Sequence, residues 1–286
     1  MAIAIGYALK APPLVLFSLA AVGFAANSEG GAGGPLAVLV IAIVASEAGK
    51  IVSKETKVDI IVTPAVTILV GCGLALLIAP VIGAGALAVG GFIMWATELQ
   101  PFLMGMLVAV VVGIALTLPI SSAAICAALG LTGLAGGAAV AGCCAQMVGF
   151  AVISFAANRW GGLLSQGLGT SMLQMSNIMK KPLIWIPPTL AAAITGPLAT
   201  CVFGLQQNGP AIASGMGTCG LVGPIGIYTG WVSDVSSGAM ASIGAFDWLG
   251  LVLICFILPA VLSFVFSVIM KRFGLIEAND MKLEEG

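Results

Sequence analysis

Uncharged polar side chains gather in one part of this chain. The run GTSMLQMSNI at 169–178 holds Thr170, Ser171, Gln174, Ser176 and Asn177 in an otherwise apolar setting. Amides and hydroxyls donate and accept hydrogen bonds without carrying charge, so together they can replace the hydration shell of a polar solute. Gln166, Thr170, Ser171, Gln174 and Asn177 stand at mixed i, i+3 and i+4 spacings, which lets several share a helical face. Upstream, GCCAQMVGFAVISFAANRWGG adds Gln146, Asn158 and Arg159. Arg159 is suited either to clamping an anionic group or to anchoring a span at the headgroups beside Trp160.

Earlier still, ELQPFLMG supplies Glu98 and Gln100, and LTLPISSAA supplies Thr117, Pro119, Ser121 and Ser122. Pro119 deprives a helix carbonyl of its partner. The freed group and the two serines then make either a polar patch for a ligand or a kink that Ser satisfies locally. Downstream, NGPAIASGMGTCGLVGPIG at 208–226, with Thr218, reads as a broken helix or a loop in close contact with a ligand. Glu98 is the carboxylate best placed for a substrate or coupling ion. Asp59 is expected to pair with Lys54 or Lys57 at the interface, and Asp234 and Asp247 to lie in an exposed loop. The candidate substrate-binding set is therefore Glu98, Gln100, Ser121, Ser122, Gln146, Asn158, Arg159, Gln166, Thr170, Ser171, Gln174, Asn177 and Thr218.

The same residue types exclude a good deal. The chain has no His, which removes the Ser-His-Asp triad, the commonest proton shuttle and most transition-metal sites. The cysteines lie in apolar runs without C-x-x-C spacing and read as small packing residues. No phosphate-binding Walker sequence is present, and the lone GMG is no dinucleotide fingerprint. The expectation is no catalytic residue, no metal and no cofactor. With a net charge of −1 there is no basic excess to attract nucleic acid.

The elements that must hold these residues are membrane spans. The chain is 60% hydrophobic and 7% charged, with mean hydropathy +1.18, against about 25% charged residues in a soluble domain. An all-α polytopic membrane protein of about 8–10 transmembrane helices follows. The apolar stretches fall at about 12–27, 35–53, 58–80, 82–98, 101–118, 120–137, 139–157, 183–205, 218–232 and 247–270. Several are short and rich in Gly, Ala and Ser, as suits packed bundle helices or re-entrant and broken segments. The first stretch is taken as a span rather than a signal peptide. Residues 1–270 read as one transmembrane domain and 271–286 as a short cytoplasmic tail. Lys50, Lys54 and Lys57, then Lys180 and Lys181, then Lys271 and Arg272 predict cytoplasmic N- and C-termini. KVDIIVTPAVT and KPLIWIPPTLA share Lys, Ile and Pro spacings; they suggest a weak repeat (57–180 and 181–270) or a coincidence of two span starts.

Longer runs resemble a known family. DIIVTPAVTILVG, QPFLMGMLVAVVVGIALTLPISSAAI, GLAGGAAVAGCCAQMVGFAVISFAANRWGGLLSQGLGTSMLQMSNI, PLIWIPPTLAAAITGPLAT and GMGTCGLVGPI are similar to the EIIC-type membrane proteins of the phosphotransferase system, in particular the branch labelled perfringolysin (toxin) regulators. The resemblance spans about Asp59 to Ile225. It implies a homodimeric sugar permease in a bacterial plasma (inner) membrane, the permease component of a phosphoenolpyruvate-dependent sugar phosphotransferase system, with separate phosphocarrier subunits as partners. This chain departs from glucose-type members in having no His and no fused phosphocarrier domain, so as a transporter it is expected either to borrow separate phosphocarrier subunits or not to phosphorylate its solute at all. The reading is a transporter of a sugar or small polar solute by alternating access. The alternative is a ligand-binding membrane sensor that moves nothing.

Overall fold

The computed structural model describes residues 1–55, 58–97 and 99–283; side chains at 32, 87, 89–91, 93, 94, 96 and 97 are outside that description. Glu98, the expected substrate or ion carboxylate, lies outside the described residues, as does Lys57. The described residues are helical without named strands, and six helices are long and apolar enough to cross a membrane. Many of their large apolar side chains, such as Leu69, Leu77, Val261 and Phe264, are exposed, as a surface solvated by lipid requires. The chain is a multi-pass membrane protein. It divides into two compact units, Met1–Val89 with Pro119–Ser121, and Gly90–Leu118 with Ser122–Gly286.

The first unit contains α1 (Ala2–Ala8), α2 (Pro13–Gly30), α3 (Gly34–Val52) and most of α4 (Asp59–Thr97). Pro13 and Pro35 occupy first helical turns, where a missing N–H costs nothing. Val15, Leu19, Val22, Ile41, Ala75 and Ala79 form a core of small and branched side chains. Gly33 lets backbones meet: a Cβ there would lie 2.7 Å from the Ile82 carbonyl oxygen. The stretches read as separate spans at 58–80 and 82–98 are one 39-residue helix, which runs on through Pro64 and Pro80. Proline is tolerated in membrane helices because neighbouring groups satisfy the freed backbone. At the start of α4, Asp59 accepts a hydrogen bond from the backbone N–H of Lys54 (2.8 Å), not from its ammonium group.

The second unit is built around α7 (Gly133–Ile153), with α5 (Pro101–Thr117), α10 (Ile186–Pro197) and α13 (Leu258–Arg272) packed on it. Small residues make this possible. A Cβ on Gly142 would stand 1.9 Å from the Ala109 carbonyl oxygen, and one on Gly196 would stand 2.1 Å from that of Gly105. The interface is backbone against backbone, the close approach that small residues permit. Around this centre the chain is broken. The expected span at 120–137 folds as the seven-residue α6 (Ser122–Ala128), a turn, and the start of α7. The expected span at 218–232 begins as 3₁₀ turns and becomes α11 (Val222–Ser236). Positive φ at Gly217, Gly220 and Leu221 stops a straight helix there. α12 (Ala245–Val252) runs through a π-helical turn into α13. The Gly161–Lys181 region is α8 (Phe155–Leu164), a π turn at Ser165–Gly169, a 3₁₀ turn at Ser171–Gln174 and α9 (Met175–Lys180).

Candidate functional site

The polar residues of the second unit form two hydrogen-bonded groups. At the centre of the first lies Gln146, fully buried on α7. Its Oε1 accepts from the Trp185 indole N–H (3.0 Å), and its Nε2 donates to Thr189 Oγ1 (3.1 Å). Thr189 in turn donates to the Trp185 carbonyl (2.7 Å). Thr117, at the last turn of α5, shares a hydrogen bond with Ser171 (2.9 Å). Helices α5, α7 and α10 and the 3₁₀ turn thus each contribute one face. None of these groups carries charge.

The second group is a row of amides. Asn177 Nδ2 donates to Gln174 Oε1 (2.9 Å), and Gln174 Nε2 donates to Gln166 Oε1 (2.9 Å). Gln166 Nε2 donates to Ser154 Oγ (2.9 Å) and to the Gly162 carbonyl (3.0 Å). The orientation of each amide follows from its neighbour. Gln174 faces the Met281 carbonyl at 3.0 Å, which accepts only, so the nitrogen points there and the oxygen to Asn177. Both protons of each of these three amide nitrogens are used, since Asn177 also donates to the Lys282 carbonyl (3.0 Å). Such a chain of dipoles in a low dielectric polarises itself and is rigid while fully satisfied.

The local sequence explains the placement. Ser165–Gly169 forms a π turn, a helix irregularity that re-aims side chains and clusters at functional sites. Thr170 caps the next turn, its Oγ1 accepting from the Met172 N–H (3.1 Å). Arg159 has φ +53° within α8, a left-handed backbone that bends the chain beside Asn158.

Of the residues expected at a site, the structure places Gln146 and Ser171 in the first group, each against Thr117, and Gln166, Gln174, Asn177 and, through the Met281 carbonyl, Asn158 in the second. Thr218 is joined to the row's support, donating to the Gly167 carbonyl (2.6 Å). Ser122 instead ties α6 to the Gly215 carbonyl (2.7 Å). Thr170 serves as a cap. Arg159 is exposed and lines a cavity of about 310 Å³ with Asn158 and Leu283. Gln100 is exposed at the start of α5, and Ser121 falls in the first unit. Asp234 and Asp247, expected in an exposed loop, lie instead in helices and are half-buried: Asp234, in the last turn of α11, accepts from Asn208 (2.7 Å), and Asp247, in the first turn of α12, caps it through the Gly244 N–H (2.8 Å).

Sequence reasoning missed four contributors. Trp185 and Thr189 stand four apart in PLIWIPPTLA, the spacing at which a threonine hydroxyl reaches back to a helix carbonyl. Ser154 is buried at the end of α7. The fourth is the tail: Met281 and Ile276 are apolar residues in a polar stretch, and both are buried against Phe150, Ile153, Ile178 and Ile184.

The family model for the phosphotransferase system EIIC matches residues 1–283. The chain belongs to the phosphotransferase system EIIC family. No curated protein matches it, and neither does any solved structure. Membership makes it a membrane component of a sugar-transporting system that works with other phosphotransferase components.

Proposed function

We propose that this EIIC chain is a permease that carries a sugar, or a similarly neutral polyhydroxylated solute, across a bacterial plasma membrane by alternating access. The observation that carries this reading is the chemistry of the two hydrogen-bonded groups. Thr117, Gln146, Gln166, Ser171, Gln174, Asn177 and Thr189 offer neutral donors and acceptors, and Trp185 adds an aromatic face. Hydroxyl-rich neutral solutes need that mixture, whereas an anion or cation needs compensating charge. Buried polar groups at membrane depth default to function or to pairing with each other. Here they pair while remaining exchangeable for solute hydroxyls of the same hydrogen-bonding class.

Orientation follows the positive residues, with both termini cytoplasmic. The ion pair Lys181–Asp280 (2.6 Å) supports it, since it puts the Lys180–Lys181 turn and the tail on one side. The assembly we infer is a homodimer, and separate phosphocarrier subunits are its partners.

The test is uptake of labelled glucose, mannitol, N-acetylglucosamine and small acids by proteoliposomes, first without and then with phosphocarrier proteins. Wild type should take up a neutral sugar, and Gln146→Ala should lose that uptake while still inserting. Ligand-dependent thermal stabilisation without flux under either condition would instead indicate a sensor. Preference for the acids would sink the neutral-solute reading.

A further inference from the structure

The amide row already has an occupant. After α13 the chain turns at Gly274 (φ +68°) and lays its last described residues along the row. Asn158 reads this segment as a neighbouring strand would, donating through Nδ2 to the Met281 carbonyl (2.7 Å) and accepting at Oδ1 from the Leu283 N–H (2.8 Å). One side chain thus satisfies a C=O and the N–H two residues on, the pattern by which backbone recognises backbone. Gln174 donates to the same Met281 carbonyl, and Asn177 to that of Lys282. Met281 is fully buried, and Lys181 holds Asp280. A cavity of about 560 Å³ bordered by Asn177 and Lys180 opens on one side, and the 310 Å³ cavity bordered by Asn158 and Arg159 on the other. Lys282 and Leu283 line both. The tail therefore lies as a bar between two open spaces, over the amides Asn158, Gln174 and Asn177.

We propose that Glu277–Leu283 is a displaceable plug: seated, it closes the amide cleft to solute, and it withdraws by pivoting at Gly274. That the excluded ligand is a solute in transit rests on the permease reading above; that the cleft binds this peptide does not. The physical basis is equivalence. Peptide C=O and N–H groups use the same amide donors and acceptors that sugar hydroxyls would use, so tail and solute compete for one set of partners. Withdrawal leaves the amide protons of Gln174 and Asn177 unsatisfied until water or solute takes them, which couples tail release to binding. Met281 in its apolar pocket favours the seated state.

The experiment uses the full chain in liposomes with a protease site placed between Gly274 and Leu275, so that the body folds before the tail is cut. Gln174→Cys reports access: it sits beneath the tail, which keeps its contacts to Asn158, Asn177 and Lys181. Cutting and washing should raise labelling of that thiol by an impermeant maleimide roughly tenfold or more, as expected when a local cover is removed. In the version that keeps Gln174, cutting should also raise uptake of glucose, mannitol or N-acetylglucosamine, and added peptide Leu275–Leu283 should reverse both effects. Unchanged labelling overturns the plug. Increased labelling with measurable but unchanged uptake also overturns it, leaving the tail a brace beside the path. Peptide-reversible labelling with no sugar moved by either form supports the plug and removes the permease reading instead.

Discussion

The two units of this chain pack alike and treat polarity differently. Both bring backbones together at glycine, Gly33 against Ile82 in the first and Gly142 against Ala109 in the second. In the first unit, two buried hydroxyls bond within their own helix: Ser18 donates to Leu14 (2.6 Å) and Thr67 to Thr63 (2.8 Å), each four residues back. In the second unit, Thr117, Gln146, Gln166 and Gln174 join separate elements. A hydroxyl bonded to its own helix is self-contained and carries no recognition capacity. A side chain that bridges elements can exchange a protein partner for a ligand. Polar content at membrane depth is therefore informative only when its partners are known.

The shared feature should break hardest. Gly142→Val drives a side chain into the Ala109 carbonyl at 1.9 Å; backbone on both sides cannot yield, and little folded protein should be recovered by size-exclusion chromatography in detergent. The contrast is sharpest at Gln146→Leu. It orphans the partly buried Trp185 indole N–H, at a cost of about 1 kcal/mol or more, and should lower the thermal midpoint by several degrees and abolish uptake. A midpoint unchanged from wild type would mean that the group around Gln146 is not satisfied as described. Asp280→Asn removes only the partly exposed tether to Lys181, worth at most about 1 kcal/mol, and should show as faster proteolysis of the tail in an otherwise stable body.

The same tether has a defined pH response. Burial alone would raise the Asp280 carboxyl, but hydrogen bonds from Lys181 and the Glu277 N–H, with the Lys181 charge, outweigh it and hold it below the ordinary 3.8. A lowered folded value means that the stabilisation is present above the ordinary value and lost as pH falls through the folded one. Tail proteolysis should thus be flat from neutral pH to about 4 and rise only below. The smallest effect belongs to the first unit. Thr67→Val loses a bond within its own helix, and about 0.5 kcal/mol or less is expected. A loss as large as that of Gln146→Leu would erase the distinction between the units.

Much of the fold was legible because membranes constrain it. With 7% charged residues, apolar runs had to become helices that satisfy their own backbone. The positions of α2, α3 and α5, and of α12 continued into α13, follow the apolar stretches closely, whereas α7 begins at Gly133, ahead of the stretch at 139–157. Boundaries set by proline and glycine were less legible. Pro80 looked like a break and lies inside α4, while the run at 120–137 looked continuous and is broken after Ala128. Proline is excluded from soluble helix interiors by a penalty that membrane packing offsets, and consecutive small residues fit helix and turn almost equally.

The sequence by itself determined that this chain lives in a bilayer and that its candidate polar residues, Glu98 and Arg159 among them, gather in its middle. Those conclusions rest on residue type and local spacing. Tertiary structure decided what the thirteen candidates meet: the bonds among Gln166, Gln174 and Asn177 are local, but those that join Gln146 to Trp185 and Asn158 to the tail span 39 and 125 residues and depend on helix rotation and approach that no local period encodes. It also decided where the tail lies. Ile276 and Met281 are too few to form a core alone, and they become ordered because α7, α9, α13 and the 3₁₀ turn Pro182–Trp185 together leave an apolar pocket of their size.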